Sequence, residues 1–116
     1  MFDYREYRIF LSCGKTDMRK SINGLCDIVQ YRFQLDPREK MIFVFCNNAR
    51  NRMKLLVWEE NGFWLHFKRL EKGSFDWPQV TEDEIQMNLG YEDFINLIKA
   101  PGIKQKIKRQ EVWKNP

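Results

Sequence analysis

The stretch MKLLVWEENGFWLHFKRLE, Met53 to Glu71, decides how the middle of this chain is expected to fold. Two apolar runs of strand length flank Asn61-Gly62, and Asn-Gly is the dipeptide that best tolerates the positive φ values of a type I′ turn. The stretch therefore predicts a β-hairpin. A two-residue loop at Asn61-Gly62 also fixes the cross-strand pairs, and it places Lys54 opposite Arg69.

The predicted register sorts the hairpin side chains onto two faces. Leu56, Trp58, Leu65 and Phe67 share one face, which is apolar until it ends in two cations. The opposite face mixes apolar and polar residues. We expect Leu65 and Phe67 to lie in the core and only Trp64 to be a partly exposed ring. The aromatic residues of this stretch are thus interpreted mainly as core.

Before the hairpin, the pattern predicts a strand, a helix and a second strand. Apolar residues alternate from Tyr7 to Cys13, as in a half-buried strand. Thr16 is then a candidate cap for a helix whose apolar face extends to Phe33. Asp36-Pro37 ends that helix, because a residue before proline is pushed out of the α region. The run Met41 to Cys46 is a strand covered on both faces.

After the hairpin, a loss of periodicity predicts an irregular link. Thr81 and Glu84 form T-x-x-E, a capping-box signature that predicts the start of a helix. That helical region is expected to run through Leu89 and on to Pro101. Beyond it, residues 101–116 have little apolar content and are predicted to be a basic tail, either mobile or ordered on contact.

These elements predict an α+β fold and a single domain over residues 1–100, followed by the tail. One amphipathic helix is expected to cover a mixed, mostly antiparallel sheet of about four strands, with helical segments toward the C-terminus. If the first two strands are neighbours, they run parallel through a helical crossover, and the later strands form an antiparallel meander.

Composition and charge limit the classes of function. The chain has 116 residues, is 43% hydrophobic and carries a net charge of +4. No apolar run approaches the ~18 residues that span a bilayer, and the start of the chain lacks a secretory h-region, so a cytoplasmic protein without membrane contact is expected. Residues 1–72 and 101–116 have a net positive charge, while residues 73–100 have a net negative charge. This layout favours phosphate contact on one surface and a protein partner on another, unless the zones mix in space.

Eight cations from the first helix start and the hairpin are predicted to form a phosphate-contacting surface. Like charges across a ladder repel, and a phosphate backbone would relieve that repulsion. Internal carboxylates or solvent would relieve it equally well, so these alternatives stay open. Gly14-Lys15-Thr16 is not a nucleotide-binding P-loop. The P-loop pattern requires a glycine five residues before Gly14, and Ile9 occupies that position. The predicted nucleic-acid-binding residues are Lys15, Arg19, Lys20, Arg50, Arg52, Lys54, Lys68 and Arg69, with assistance from the tail cations Lys104, Lys106, Lys108 and Arg109.

The residues offer little for catalysis or for a cofactor. His66 is the only histidine and is more readily explained as structural than as a base. Cys13, Cys26 and Cys46 form no C-x-x-C pair and are expected to be small buried hydrophobic residues. We therefore predict no catalytic residues, no metal site and no cofactor.

Three ordered motifs resemble one known family. They are TDMRKSINGL (Thr16 to Leu25), FVF (Phe43 to Phe45) and RMKLLVWEENGFWLHFKRLEKGSFDWP (Arg52 to Pro78). Together they resemble the TnpB-like accessory proteins, products of the second reading frame, of insertion sequences of type sixty-six. The family pattern often has an aspartate where Asn23 stands, so no acidic role is transferred there.

The resemblance implies a non-enzymatic role in DNA transposition. Such a protein would help a separate transposase to assemble with the DNA of the element. The alternatives are a module that binds only the transposase through its acidic helix, and a small metal-dependent nuclease. The expected partners are the transposase and the element DNA, and the exposed hairpin edge with Trp64 leaves self-association open.

Overall fold

Six strands form one mixed sheet in the order β4-β3-β2-β1-β5-β6 in this computed structural model, which describes residues 3–100 and 112–114. The helices are α1 (Ile22–Asp27), which continues as a π-helical segment (Ile28–Arg32), and α2 (Tyr91–Lys99). The strands are β1 (Arg8–Ser12), β2 (Met41–Cys46), β3 (Arg52–Glu59), β4 (Gly62–Arg69), β5 (Glu84–Leu89) and β6 (Val112–Lys114).

The α+β class and the mixed sheet agree with the prediction, but the strand count does not. β1 pairs parallel with β2, and β2, β3 and β4 form the expected antiparallel meander. The prediction of about four strands was wrong because β5 and β6 extend the sheet beyond β1. β5 occupies a region that the sequence pattern assigned to a helix.

The T-x-x-E motif opens β5 instead of a helix. The Thr81 N–H donates to Glu84 Oε1 over 3.3 Å, and the Glu84 N–H donates to the Thr81 carbonyl over 3.2 Å. The Thr81 hydroxyl lies within hydrogen-bond distance of both Asp83 Oδ1 and Glu84 Oε1. This is one turn closed by side-chain bonds, as in a capping box. Met87 and Leu89 then pack on the same face of the sheet, and Ile85 lies on the other face, where the pairing with β6 is irregular between Glu84 and Gln86. This period of two, together with burial between β1 and β6, favours the strand.

The first helix begins at Ile22 with Ser21 at its N-cap position, so the prediction that Thr16 caps it was wrong. Thr16 is only 6% exposed, and its N–H donates to the Cys46 carbonyl over 2.8 Å. This bond holds Thr16 at the end of β2, where it cannot cap a helix. Arg19 and Lys20 consequently lie in a loop before the helix rather than in its first turn.

The core has two layers, one on each face of the sheet. Leu25, Val29 and Phe33 from the first helical region pack on one layer, and Phe94 and Leu97 of α2 pack on the other. The expectation that one amphipathic helix covers the sheet was therefore incomplete. Strand β2 is buried on both faces because a helix lies on each side, as its continuous apolar run predicted.

The hairpin is confirmed, but its turn lies one residue earlier than predicted. Glu59 pairs with Gly62, so the loop is Glu60-Asn61, and Glu60 takes a φ of 55°. The Asn61 N–H donates to the Glu59 carbonyl over 2.6 Å. Every cross-strand pair shifts by two residues along β4, so each side chain keeps its predicted face.

The shifted register changes which residues face each other. Arg69 lies opposite Arg52, and Lys54 lies opposite Phe67. Phe67 is 55% exposed, so its assignment to the core was wrong, whereas Trp64 is 45% exposed, as predicted. Phe67 is exposed because β4 is the edge of the sheet.

The C-terminal region is described only in part. Residues 112–114, inside the predicted basic tail, form β6 and pair with β5. The tail cations Lys104, Lys106, Lys108 and Arg109 lie outside the described residues. No helix within residues 3–100 and 112–114 has the length and apolar character needed to cross a bilayer.

Candidate nucleic-acid interface

The strand directions bring most of the predicted cations to one end of the sheet. The loops that follow the parallel strands β1 and β2 leave at the same end, where antiparallel β3 begins and β4 finishes. We call this surface the basic end. It consists of Lys15, Arg19 and Lys20 in the loop after β1, Arg52 and Lys54 at the start of β3, and Arg69 at the end of β4.

Lys54 fastens the loop after β1 to the sheet. Its ammonium donates to the carbonyl oxygens of Met18 and Lys20, over 2.8 and 2.7 Å, and lies 5.9 Å from the centre of the Phe67 ring. Two backbone carbonyl oxygens and one aromatic ring thus surround the ammonium of Lys54. The bonds hold the main chain of Lys20 on the face of β3 that also carries Arg52, so loop and strand cations are close together.

Arg52 and Arg69 form the like-charged pair of the basic end. They are direct partners across the β3–β4 ladder, and both side chains are exposed. Glu71 accepts a 2.7 Å hydrogen bond from Arg69, and this carboxylate raises the pKa of the guanidinium. Arg52 has no carboxylate partner among residues 3–100 and 112–114. The ladder therefore leaves one arginine charge uncompensated beside another.

The loop after β1 contributes one paired and two unpaired cations. Asp17 accepts hydrogen bonds from the Arg19 side chain, the shortest of them 2.7 Å, and these bonds lower the pKa of Asp17 to about 2. Arg19 remains 92% exposed in spite of this pair. Lys15 and Lys20 are exposed and have no carboxylate partner in the described part of the chain. Such an exposed ion pair is worth little in stability, so Arg19 stays available to an external anion.

Two of the predicted cations are engaged elsewhere. Lys68 lies on the opposite face of β4, where its ammonium donates to the Ile98 carbonyl over 2.6 Å at the end of α2. The Arg50 guanidinium lies 4.8 Å above the Trp77 ring, and its Nη1 is shielded from solvent without a hydrogen-bond partner. Lys68 is therefore on the other face of the sheet from the basic end, and the Arg50 charge is engaged with the Trp77 ring.

The acidic residues of the segment 73–100 are divided between the two ends of β5. Glu82 and Asp83 precede this strand at the end of the sheet that carries the basic end, with β2 and β1 between them and β3. Glu92 and Asp93 lie in the first turn of α2, at the opposite end of β5. The acidic helix expected from the sequence is therefore not one surface, because only its second half is helical.

The histidine and the cysteines have structural surroundings. His66 Nε2 lies 3.2 Å from the Tyr4 hydroxyl, and burial lowers the pKa of His66. Cys13 and Cys46 are buried, as predicted, and Cys26 is partly buried. Within residues 3–100 and 112–114, no three potential metal-binding side chains converge.

Sequence reasoning missed the two residues that organise this surface. Lys54 was treated as a free surface cation, although its length and its position on β3 let it reach the preceding loop. Phe67 was assigned to the core, and only the strand order shows that β4 is an edge. Neither feature has a local sequence signal, because both depend on contacts between distant segments.

Comparison with known proteins gives the chain a family. The family model described as IS66 Orf2 like protein matches residues 7–108. The chain belongs to this family. The match extends the resemblance seen in the three motifs across β5 and α2, and it associates the protein with transposition of insertion sequences of this type. The family is one of accessory rather than catalytic proteins.

Two curated relatives come from Sinorhizobium fredii. The uncharacterized protein y4jC is 32% identical over 84 residues, which cover 72% of each chain. The uncharacterized protein y4hO is 34% identical over 81 residues, which cover 70% of each chain. No solved structure matches the IS66 Orf2-like chain.

Proposed function

We propose that this IS66 Orf2-like protein is a non-catalytic accessory factor that helps a separate transposase to assemble with element DNA. The basic end contacts DNA phosphates in this proposal. Family membership supports the role in transposition. The phosphate contact rests on one observation, the pair of Arg52 and Arg69 facing each other next to the loop that Lys54 holds in place.

The charge balance of the basic end supports binding to a polyanion. Its six cations are accompanied by the carboxylates of Asp17 and Glu71, each bound to one arginine. The remaining cations repel each other, and phosphates spaced along a DNA strand would offset that repulsion at several points. Arg50 and Lys68 contribute less directly, since each already has an internal contact.

Binding to terminal-repeat DNA at two salt concentrations tests the proposal. The double variant Lys20→Ala with Arg52→Ala removes two cations that have no internal carboxylate partner. The matched control, Arg5→Ala with Lys40→Ala, removes the same charge near the other end of the sheet. We expect weaker binding only for the first variant. Equal weakening by both variants, or no binding by the unchanged protein at low salt, contradicts the phosphate contact.

A protein-interaction module that binds only the transposase is the second candidate. The position of Glu82 and Asp83 favours it, because β2 and β1 lie between this acidic group and the cations of β3 and β4. Asp83 lies 3.8 Å from Lys114 of β6. Co-purification of the two proteins after nuclease treatment supports this candidate, and loss of the complex after that treatment argues against it. Divalent-metal-dependent DNA cleavage is the outcome that would support the third alternative, a small nuclease.

A further inference from the structure

The outer edge of β4 is open along its eight residues. In the described part of the chain, only β3 forms backbone hydrogen bonds with this strand. An open edge presents a row of N–H and C=O groups that readily pair with another strand. Trp64 and Phe67, exposed by 45% and 55%, project from opposite faces of this edge. Charged residues protect the edge only at its end, at Lys68 and Arg69.

We propose that two copies of this chain pair antiparallel through β4 about a two-fold axis at Leu65. In this register, Phe67 of each copy lies opposite Phe63 of the other, on the same face as the central pair of Leu65 side chains. On the other face, Trp64 of each copy lies opposite His66 of the other. Directly opposed side chains of an antiparallel pair are in contact distance, so both exposed rings become covered.

The charges of the strand select the antiparallel orientation. Lys68 and Arg69 lie at one end of β4, and Glu59 and Glu60 lie at the turn beside its other end. Antiparallel pairing places the cations of one copy next to the carboxylates of the other. Lys68 faces Gly62, which has open space around it and pairs with Glu59 on the same face. Parallel pairing in register would instead set the cations of the two copies side by side.

A cleft between β4 and α2 provides a place for the second copy. It has a volume of about 260 Å³ and is mainly apolar. Trp64 of the second copy lies opposite His66 on the face that forms this cleft, which places its indole at the cleft mouth. The lining includes Tyr4, Leu55, His66, Phe94, Ile95 and Ile98.

A second copy fits this edge because the matched features repeat under the two-fold axis. Each copy supplies both the exposed ring and the surface that covers it, as an isologous interface requires. The pairing involves neither Lys20 nor Arg52 and does not depend on the proposed DNA contact. Measuring the dimer in the absence of DNA therefore tests the β4 pairing separately from the proposed DNA contact.

Sedimentation of the full chain tests the pairing. We expect a dimer that the double variant Trp64→Lys with Phe67→Lys converts to a monomer, while far-UV circular dichroism stays unchanged because both side chains are exposed. The matched control is Tyr31→Lys, which replaces a ring that is 73% exposed outside β4 and leaves the dimer intact. A monomeric unchanged protein at every concentration up to its solubility limit overturns the proposal, even if it pairs with the transposase. A dimer that survives the double variant also overturns it.

A disulfide tests the register independently. In a Cys26→Ser background, Leu65→Cys places the two thiols directly opposite each other, and we expect a covalent dimer on oxidation. Phe67→Cys is the control, because its two copies are offset by four residues, roughly 13 Å along the strand. That separation exceeds the ~7 Å limit for a disulfide. Failure of Leu65→Cys to link, or equal linking by both variants, contradicts the register.

Discussion

The ammonium of Lys54 donates a 2.7 Å hydrogen bond to the carbonyl oxygen of Lys20. A second bond of 2.8 Å reaches Met18, so one side chain of β3 holds the loop after β1. This relationship joins two segments that the sequence separates by 34 residues. It determines that Arg19 and Lys20 lie beside Arg52 instead of extending into solvent elsewhere.

We predict that Lys54→Met lowers the free energy of unfolding by about 1–2 kcal/mol, because two charge-assisted hydrogen bonds are lost. Methionine keeps most of the apolar stem, so the change isolates the ammonium. Hydrogen exchange of the amides of residues 15–20 should accelerate. Lys15→Met, which removes an exposed cation of the same loop, is the control and should change neither quantity. Equal effects of the two variants would show that Lys54 does not hold the loop.

The hairpin register can be tested by two substitutions at the turn. Glu60 has a φ of 55°, which glycine adopts without a steric penalty. Glu60→Gly should therefore raise the free energy of unfolding by about 0.5–1 kcal/mol in chemical denaturation. Gly62 lies in β4 with open space around its Cα, so Gly62→Ala should be tolerated. A large loss of stability from Gly62→Ala would place the turn at Asn61-Gly62.

Glu84 is 3% exposed and closes the turn that starts β5. We predict that Glu84→Ala lowers the free energy of unfolding by about 0.5–1.5 kcal/mol, because the Thr81 N–H loses its acceptor while the Thr81 hydroxyl keeps Asp83. The helical signal in circular dichroism should not change, since the motif starts a strand. Glu82→Ala, an exposed neighbour, is the control. A selective loss of helical signal from Glu84→Ala would show that the motif caps a helix.

His66 predicts how stability depends on pH. Burial lowers the pKa of His66 below its usual value of 6.5, so the unfolded chain binds a proton at higher pH than the folded chain does. The free energy of unfolding therefore falls as pH decreases through 6.5, until the folded state is protonated too. His66→Gln should remove this fall. Chemical denaturation at pH 7 and pH 5.5 measures this fall in the free energy of unfolding. The same fall in the His66→Gln variant would show that other groups cause it.

The sequence predicted elements that depend on their own residues better than elements that depend on contacts with distant segments. The apolar run of β2 reports burial of its own residues, and both β1 and β2 were predicted as strands. β1 is buried on both faces, including Phe10 and Ser12, and not on one face as its alternation predicted. The motif at Thr81 forms the same local hydrogen bonds before a helix or a strand, so only the pairing of β5 with β1 decides between them. Likewise, Asn61-Gly62 favours one turn, but the register also depends on packing of both hairpin faces.

The candidate site was predictable in position and not in detail. Counting cations around the first helix and the hairpin located the basic end, because β1 and β2 run parallel and carry their loops to one end. The internal contacts of Arg50 and Lys68 were not predictable, since Trp77 and Ile98 come from later segments. Long side chains find such partners through tertiary structure.

The central claim is that the uncompensated cations of the basic end contact DNA phosphates. Its most direct test is the slope of log affinity against log salt for terminal-repeat DNA. Each lost phosphate contact should reduce the slope by ~0.9 on duplex DNA. We predict a slope shallower by about 1.8 for Lys20→Ala with Arg52→Ala, and an unchanged slope for Arg5→Ala with Lys40→Ala. Identical slopes for the two variants would contradict the account.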